Sequence, residues 1–291
     1  MATYYISPTG DDSTGDGSEG NPWFNFVYAI STSQTAIDDT IIVKEGTYVQ
    51  TLGGDDFSID NRTIISENNN PSATILDFDG IVLQQISSDI GGSISGITFK
   101  NNGTQDSSRS FIKTFNGLYI RNCIFENIRN QSGPRGRGGL FTGSDTLVDS
   151  CLFIDCFNKG SDDAGLIASS GGAFNMTLSN CTVYYNVSNV PLDEFMPNCF
   201  VRFDDGPTNV RIMTIKNLIL EVVNGSITNY NSSDPNDVNT VVTTTYSCIH
   251  NANYTDGETG VITSDPLLVD PDNGNFNLRP NSPCIGTGTL L

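Results

Sequence analysis

The sequence predicts an all-β fold: a single right-handed parallel β-helix made of three-strand coils, with a short N-terminal capping helix. Composition is the first reason. Hydrophobic residues make up 37% of the chain and charged residues 16%, and 29 glycines interrupt strings of Val, Ile, Thr, Phe and Tyr. This pattern is typical of many short strands joined by many turns. The second reason is an internal repeat.

The repeat is a segment that recurs in the middle of the chain, and its first four copies begin 26, 28 and 30 residues apart. Each copy has an apolar start, a small or turn-forming residue and a second apolar pair, which indicates a strand, a tight bend and another strand. The copies are Ile94–Asn101, Ile120–Asn127, Val148–Asp155, Leu178–Tyr185 and Ile215–Val222, with Tyr246–Asn251 as a shorter relative. Because such a unit cannot bury its apolar face alone, we expect the copies to stack.

Stacking predicts an interior column and a bend column. The interior column is Ile97, Cys123, Cys151, Cys181 and Leu218, and Cys248 is expected to continue it. The bend column is Gly96, Asn122, Ser150, Asn180 and Asn217, residue types that tolerate left-handed backbone. The cysteines are therefore interpreted as small buried hydrophobes. A metal site in this column is the alternative, which stacked interior positions disfavour because they leave no open coordination geometry.

A second series of strands between the copies completes a three-strand coil. Its members are Ser110–Thr114, Gly139–Gly143, Gly165–Ser169 and Phe200–Asp204. The segments Thr40–Tyr48, Arg62–Ser66 and Thr74–Asp77 supply the first coils.

The ends of a solenoid need covers, because open ends expose core and strand edges. Pro22–Ile30 is aromatic and amphipathic and is predicted to form the capping helix, with Asn21 as its N-cap. Trp23 is expected to pack in this cap rather than bind a ligand. One domain, 1–291, is predicted, with an N-terminal strand and cap in 1–40, coils in 41–262 and a closing segment in 263–291.

The charge narrows the choice of partners. The formal net charge is −19, from 33 acidic and 14 basic residues, so the chain would repel nucleic acid and anionic membranes. A solvated surface explains the acidity, and divalent cation binding by Asp-rich loops is the alternative. No apolar run approaches the roughly 20 residues of a membrane span. The start, Met1–Tyr5, does not resemble a signal peptide, so a virion or the cytoplasm is the expected location.

Two terminal patterns resemble the pectate-lyase-like right-handed β-helix superfamily. They are Tyr4–Asp12 with Asp39–Tyr48 near the start, and Asp265–Pro283 near the end. The resemblance implies the fold but little about activity, since the superfamily includes polysaccharide lyases, polygalacturonase-type hydrolases, sugar epimerases and phage tailspike or fibre proteins. Of the hydrolase motifs only Asp-Asp occurs, and the sole histidine, His250, lies away from the middle coils.

Register also predicts which loops are neighbours. The loops 129–138, 157–163 and 187–197 follow the same point of successive coils and should lie side by side. Candidate glycan-binding residues on this face and the adjoining strands are Arg135, Arg137, Lys159 and Arg202. Candidate calcium ligands are Asp162, Asp163, Asp204 and Asp205. Solvated turns are the plainer interpretation of these charged loops, and no catalytic residue is assigned.

Two functions are compatible with these features. The first is a non-catalytic, fibre- or decoration-type virion protein that contacts host surface glycans, with no required cofactor. Its partners would be surface polysaccharide or other virion proteins. The sequence does not determine the oligomeric state, and a homotrimer is compatible with it. The alternative is a polysaccharide lyase or depolymerase that acts on an acidic polysaccharide with an Arg or Lys base and Ca²⁺.

Overall fold

Three long parallel sheets wind around one core in the computed structural model, and each coil contributes one strand to each sheet. The structure describes residues 1–31, 34–51, 54–81, 83–102, 111–114, 116–131, 141–143, 145–159, 165–169, 174–189, 199–203, 210–232, 240–253 and 259–289. This is the predicted right-handed parallel β-helix of three-strand coils.

The described strands pair in the following orders. Sheet A contains β1 (Thr3–Ile6), β2 (Thr40–Val43), β5 (Thr63–Ser66), β8 (Gly92–Ser95), β11 (Leu118–Arg121), β15 (Thr146–Asp149), β19 (Phe174–Ser179), β22 (Arg211–Lys216) and β25 (Thr240–Thr245). Sheet B contains β3 (Gly46–Val49), β6 (Thr74–Asp77), β9 (Thr98–Lys100), β12 (Ile124–Glu126), β16 (Leu152–Ile154), β20 (Thr182–Asn186), β23 (Ile219–Val223) and β26 (Cys248–His250). Sheet C contains β4 (Gly54–Ser58), β7 (Leu83–Ser88), β10 (Ile112–Thr114), β14 (Phe141–Gly143), β18 (Gly165–Ser169), β21 (Cys199–Phe203), β24 (Ile227–Ser232) and β27 (Ala252–Asn253).

The predicted register is confirmed. On sheet A the first residues of the repeat copies pair in sequence, Ile94 with Ile120, Val148, Leu178 and then Ile215. The bend column between sheets A and B has left-handed backbone throughout. Its φ angles are +72° at Gly96, +49° at Asn122, +54° at Ser150, +53° at Asn180 and +52° at Asn217.

The interior column is buried, but its last member differs from the prediction. Cys123, Cys151 and Cys181 are at most 2% exposed. Cys248 does not continue the column, since it pairs with Ile219, one position beyond Leu218. Ser247 takes the place beside Leu218, whose N–H donates to the Ser247 hydroxyl at 3.1 Å. The shorter repeat copy is therefore displaced by one residue relative to an alignment on its cysteine.

Aromatic rings from successive coils stack inside the β-helix. The rings of Phe99 and Phe125 are 5.4 Å apart and nearly parallel, and those of Phe125 and Phe153 are 5.3 Å apart. All three side chains are at most 1% exposed. This burial couples the middle coils through the core.

The predicted capping helix exists but begins later than expected. Helix α1 spans Phe26–Ile30 and is capped by Asn25, whose side-chain oxygen accepts from the N–H of Val27 at 3.1 Å. Asn21 is therefore not the N-cap. Asn21 and Trp23 instead lie in isolated β-bridges, in which Trp23 pairs with Ile6, and the Trp23 ring stacks on Tyr4 at 5.2 Å. Trp23 is 3% exposed, which confirms its packing role.

The closing segment lies against the side of the coil stack. It contains the antiparallel strands β28 (Leu268–Asp270) and β29 (Asn275–Leu278), with a 3-10 helix between them. Phe276 packs edge-on against Tyr184 of sheet B at 5.5 Å, and Asp272 accepts from the Tyr184 hydroxyl at 2.7 Å. A second 3-10 helix spans Val187–Asn189. In the described part of the chain, no helix is long and apolar enough to cross a membrane.

Candidate functional site

The outer face of sheet A carries the clearest candidate surface. Side chains alternate along each strand, so the neighbours of the buried Ile94 and Ile120 point outward. Two outward columns result. They are Thr63, Ser93, Tyr119, Leu147 and Thr177 in one, and Ile65, Ser95, Arg121, Asp149 and Ser179 in the other.

Small residues open a shallow groove in this face. Ser93 and Ser95 belong to β8, which lies between β5 and β11. Their short side chains leave space between Thr63 and Ile65 of β5 and Tyr119 of β11. The groove has a volume of about 460 Å³. Its lining residues are Thr63, Ile65, Ser93, Ile94, Ser95, Tyr119 and Arg121.

One aromatic ring and one cation form the wall of the groove. Tyr119 is 50% exposed, so one side of its ring is open to solvent. The guanidinium carbon of Arg121 lies 5.9 Å from the centre of the Tyr119 ring. This cation–π contact holds the two side chains together. The guanidinium can still present paired N–H donors to a planar anion such as a carboxylate.

The acidic neighbour of Arg121 is engaged in the scaffold. Asp149 follows Arg121 in the outward column. Its Oδ1 accepts from the Ser179 hydroxyl at 2.7 Å and from the Asn180 side-chain amide at 2.8 Å. These bonds tie Asp149 to the next coil, so the rest of the groove presents mostly hydroxyl and apolar groups.

The backbone of the predicted loops agrees with the expected arrangement where it is described. Strand β13 (Arg129–Gln131) pairs in parallel with β17 (Phe157–Lys159), so the first two loops begin side by side. Lys159 pairs with Gln131 there. Arg202 lies in β21 of sheet C, paired with Ala168 and Asn231.

Most of the predicted site residues are not tested by these pairings. Arg135, Arg137, Asp162, Asp163, Asp204 and Asp205 lie outside the described residues. Their glycan-binding and calcium-binding roles, and those of the Lys159 and Arg202 side chains, stay predictions. Within the described residues, one group of His, Asp and Glu side chains is close enough to hold a metal ion, and it consists of Glu221, His250 and Asp265.

Sequence reasoning missed Tyr119 and Arg121. Both flank Ile120, the first residue of a repeat copy that was interpreted as scaffold. The available signal was alternation: with Ile120 inward, the residues on either side must face solvent. An aromatic residue and an arginine at such positions indicate a binding surface more strongly than charged residues in a glycine-rich loop do.

No protein-family model matches the chain, and no curated protein matches it. Among solved structures, a rhamnogalacturonan lyase is 14% identical with a TM-score of 0.53, and the match covers 90% of this chain and 73% of that one. A pectate lyase is 16% identical with a TM-score of 0.43, covering 100% and 92% of the two chains. A pectin methylesterase bound to a hexasaccharide is 13% identical with a TM-score of 0.42, covering 99% and 98%. The likeness to the rhamnogalacturonan lyase is one of fold alone, and the fold that the two chains share is the parallel β-helix.

Proposed function

We propose that the chain binds an acidic polysaccharide along the outer face of sheet A. The observation that carries this proposal is the pairing of a half-exposed Tyr119 ring with the exposed Arg121 guanidinium beside an open groove. An aromatic ring packs against the C–H face of a sugar, and a guanidinium pairs with a uronate carboxylate. Serine and threonine hydroxyls in the groove supply hydrogen bonds to sugar hydroxyls.

The direction of the groove suits a linear polymer. It crosses the rungs of β5, β8 and β11, which follow one another along the axis of the coil stack. Neighbouring rungs are separated by about 4.8 Å, so a chain lying along the axis would meet a new pair of outward side chains at each rung. The same face continues through β15 and β19, which extends the surface beyond the groove itself.

The fold supports the proposal, whereas the net charge of the chain opposes it. The rhamnogalacturonan lyase of similar fold acts, by its name, on a polysaccharide. The net charge of −19 opposes the approach of any anionic polymer. Arg121 must therefore supply the local attraction, and we expect binding to strengthen as salt screens the general repulsion at long range.

The test is a binding panel with matched variants. Titration calorimetry of the full chain with rhamnogalacturonan, polygalacturonate and a neutral glucan should give saturable binding to an acidic polymer. Arg121→Ala and Tyr119→Ala should each weaken that binding about tenfold, equivalent to about 1.4 kcal/mol. Lys100→Ala is the control, since it removes one positive charge as Arg121→Ala does, but from sheet B rather than from sheet A. Unchanged affinity in the Arg121 and Tyr119 variants would remove the groove as the binding site.

Cleavage of the bound polymer is the second candidate function. It is favoured by the fold shared with a lyase and by an arginine in the groove, because a lyase needs a base that removes the proton next to a uronate carboxylate. Lyase products contain a new double bond that absorbs ultraviolet light. Product that accumulates with the wild-type chain and not with Arg121→Ala would identify an enzyme, whereas binding without product leaves the non-catalytic role.

The biological setting that we propose for this binding is based on the sequence alone. As a fibre- or decoration-type virion protein, the chain would contact a glycan on the host surface. Calcium binding by the Asp-rich loops and assembly into a homotrimer belong to the same proposal and depend on residues or surfaces outside the groove.

A further inference from the structure

Three ligand-type side chains from separate segments meet on the outer face of sheet B. Glu221 in β23 and His250 in β26 are register partners on neighbouring strands. Asp265 belongs to the closing segment that crosses this face. One ligand atom of each residue lies within 4.8 Å of the other two. The folding of the closing segment therefore completes the cluster.

Burial of Glu221 makes its negative charge costly without a cation, whereas His250 is half-buried and Asp265 is exposed. The Glu221 side chain is 9% exposed, and His250 Nδ1 lies 2.8 Å from Glu221 Oε2. Burial raises the pKa of Glu221, the nearby Asp265 carboxylate adds to that rise, and His250 opposes it. One imidazole thus faces two carboxylates in a partly dehydrated setting. A divalent cation would satisfy both carboxylates at once.

The cluster opens into a cleft on one side. The cleft has a volume of about 180 Å³ and is lined by Tyr184, Glu221, Asp265, Leu267, Leu268 and Arg279, among others. Its cation, Arg279, donates to the backbone carbonyls of Leu268 at 3.1 Å and Val269 at 3.2 Å. These two hydrogen bonds direct part of the Arg279 guanidinium toward the closing segment. The cleft has room for water molecules, which could complete the coordination of a metal ion.

We propose that Glu221, His250 and Asp265 bind one divalent transition-metal ion of the zinc class, which links the closing segment to the last two coils. The donor set selects this class of ion. Imidazole nitrogen with carboxylate oxygen suits Zn²⁺, whereas Ca²⁺ and Mg²⁺ are bound through oxygen ligands. The site is separate from the groove on sheet A and independent of polysaccharide binding.

Binding requires only a small local adjustment. Donor atoms with bonds of about 2.0 to 2.2 Å to a tetrahedral zinc ion lie about 3.4 Å from one another. His250 Nδ1 and Glu221 Oε2, now 2.8 Å apart, would therefore move slightly apart to admit the ion. The ion would bind His250 through an unprotonated Nδ1, the atom that lies 2.8 Å from Glu221 Oε2. Asp265 is held by its own turn, in which its Oδ1 accepts from the N–H of Leu267 at 2.7 Å. Its other carboxylate oxygen can face the ion.

The test uses the full chain after chelator treatment and zinc alone as the probe. Calorimetric titration should give one zinc ion per chain, and zinc should raise the thermal unfolding midpoint. His250→Ala and Asp265→Asn should each reduce zinc affinity at least tenfold and abolish that rise. Asp270→Asn, in the same segment but outside the cluster, should behave like the wild type. Calcium at the same concentration should produce no comparable effect.

Other outcomes overturn the proposal. Absence of saturable zinc binding to the wild-type chain would do so directly. Undiminished zinc affinity in folded His250→Ala and Asp265→Asn variants would place the zinc elsewhere, for example on cysteines. Circular dichroism checks that the variants are folded. Asp265→Asn keeps an acceptor for the Leu267 N–H, so it still tests the site if His250→Ala does not fold.

Discussion

The interior cysteines show how strongly a single side chain depends on its coil. The Sγ atoms of Cys123, Cys151 and Cys181 each donate to the carbonyl two residues earlier, at 3.1 to 3.3 Å. Burial raises the pKa of Cys123 and Cys151 well above the ordinary thiol value. Because the thiolate is the reactive form, these thiols are unreactive in the folded chain.

Alkylation should separate buried from accessible thiols. At pH 8, iodoacetamide should modify the half-buried Cys284 of the native chain while leaving Cys123 and Cys151 unmodified, as read by peptide mass spectrometry. The denatured chain is the control, in which all cysteines should react. Equal rates of alkylation at Cys123 and Cys284 in the native chain would contradict the buried column.

The raised pKa of Cys123 and Cys151 also predicts how the free energy of unfolding depends on pH. It should fall as the pH rises above the ordinary thiol pKa, because the unfolded chain then releases the thiol protons and the folded chain keeps them.

The bend column marks what residue patterns can and cannot predict. The Gly, Asn and Ser residues of that column predicted left-handed backbone, and all five residues adopt it. Tyr246 occupies the same conformation with φ +50° in the last copy, which puts Cys248 one position beyond the cysteine column. A tyrosine gives no signal for left-handed backbone, since such residues rarely adopt it. The sequence therefore favoured an alignment of the last copy on Cys248, which is wrong by one residue.

At the scale of one element, the start of α1 depends on contacts distant in sequence. Asn21 followed by Pro22 is a good local signal for a helix start. The chain instead stays extended through Trp23, and Asp12 accepts the N–H groups of Phe24 and Asn25, both at 2.9 Å. Only after these long-range bonds does Asn25 begin the helix. Local pattern predicted the helix, and tertiary contacts set its first residue.

Two alanine variants test this helix start. Asn25→Ala should lower the free energy of unfolding by about 1 to 2 kcal/mol, because it removes the N-cap and leaves the Val27 N–H without that acceptor. Asn21→Ala should cost clearly less, since the Asn21 side chain is exposed and bonds only to the Thr14 carbonyl in the described contacts. Urea denaturation of both variants gives the comparison. A larger loss for Asn21→Ala would restore it as the cap.

The groove on sheet A was less predictable than the coils that carry it. Alternation around Ile120 determines that Tyr119 and Arg121 face outward, but many outward residues serve only as solvated surface. A groove appears because two serines of one rung lie beside the bulkier Tyr119 rung. The groove also requires the pairing of β5 with β8, which the repeat copies do not predict because the first copy begins at Ile94.

At the scale of the whole molecule, the coils form a nearly one-dimensional stack whose ends need not be equally stable. Each coil packs mainly on its neighbours, and the aromatic stack of Phe99, Phe125 and Phe153 supports the middle. At the amino-terminal end, the Trp23 N–H donates to the Tyr5 carbonyl at 3.1 Å and covers β1. At the other end, β25 is the last described strand of sheet A, and Val241 on it is 51% exposed.

Hydrogen exchange should therefore reveal an asymmetric stack. Strands β25 and β1 lie at the two edges of sheet A among the described strands, and the segment around Trp23 covers β1. Amides of β25 should therefore exchange faster than those of β1. Amides of β15 and β19, paired on both sides, should be the slowest of the sheet. Peptide-resolved deuterium uptake, followed by mass spectrometry over minutes to hours, measures all four strands in one experiment. Uniform protection along sheet A would mean that the coils open as one cooperative unit, and faster exchange at β1 would mean that the aromatic cap stabilises its end less than the described contacts require.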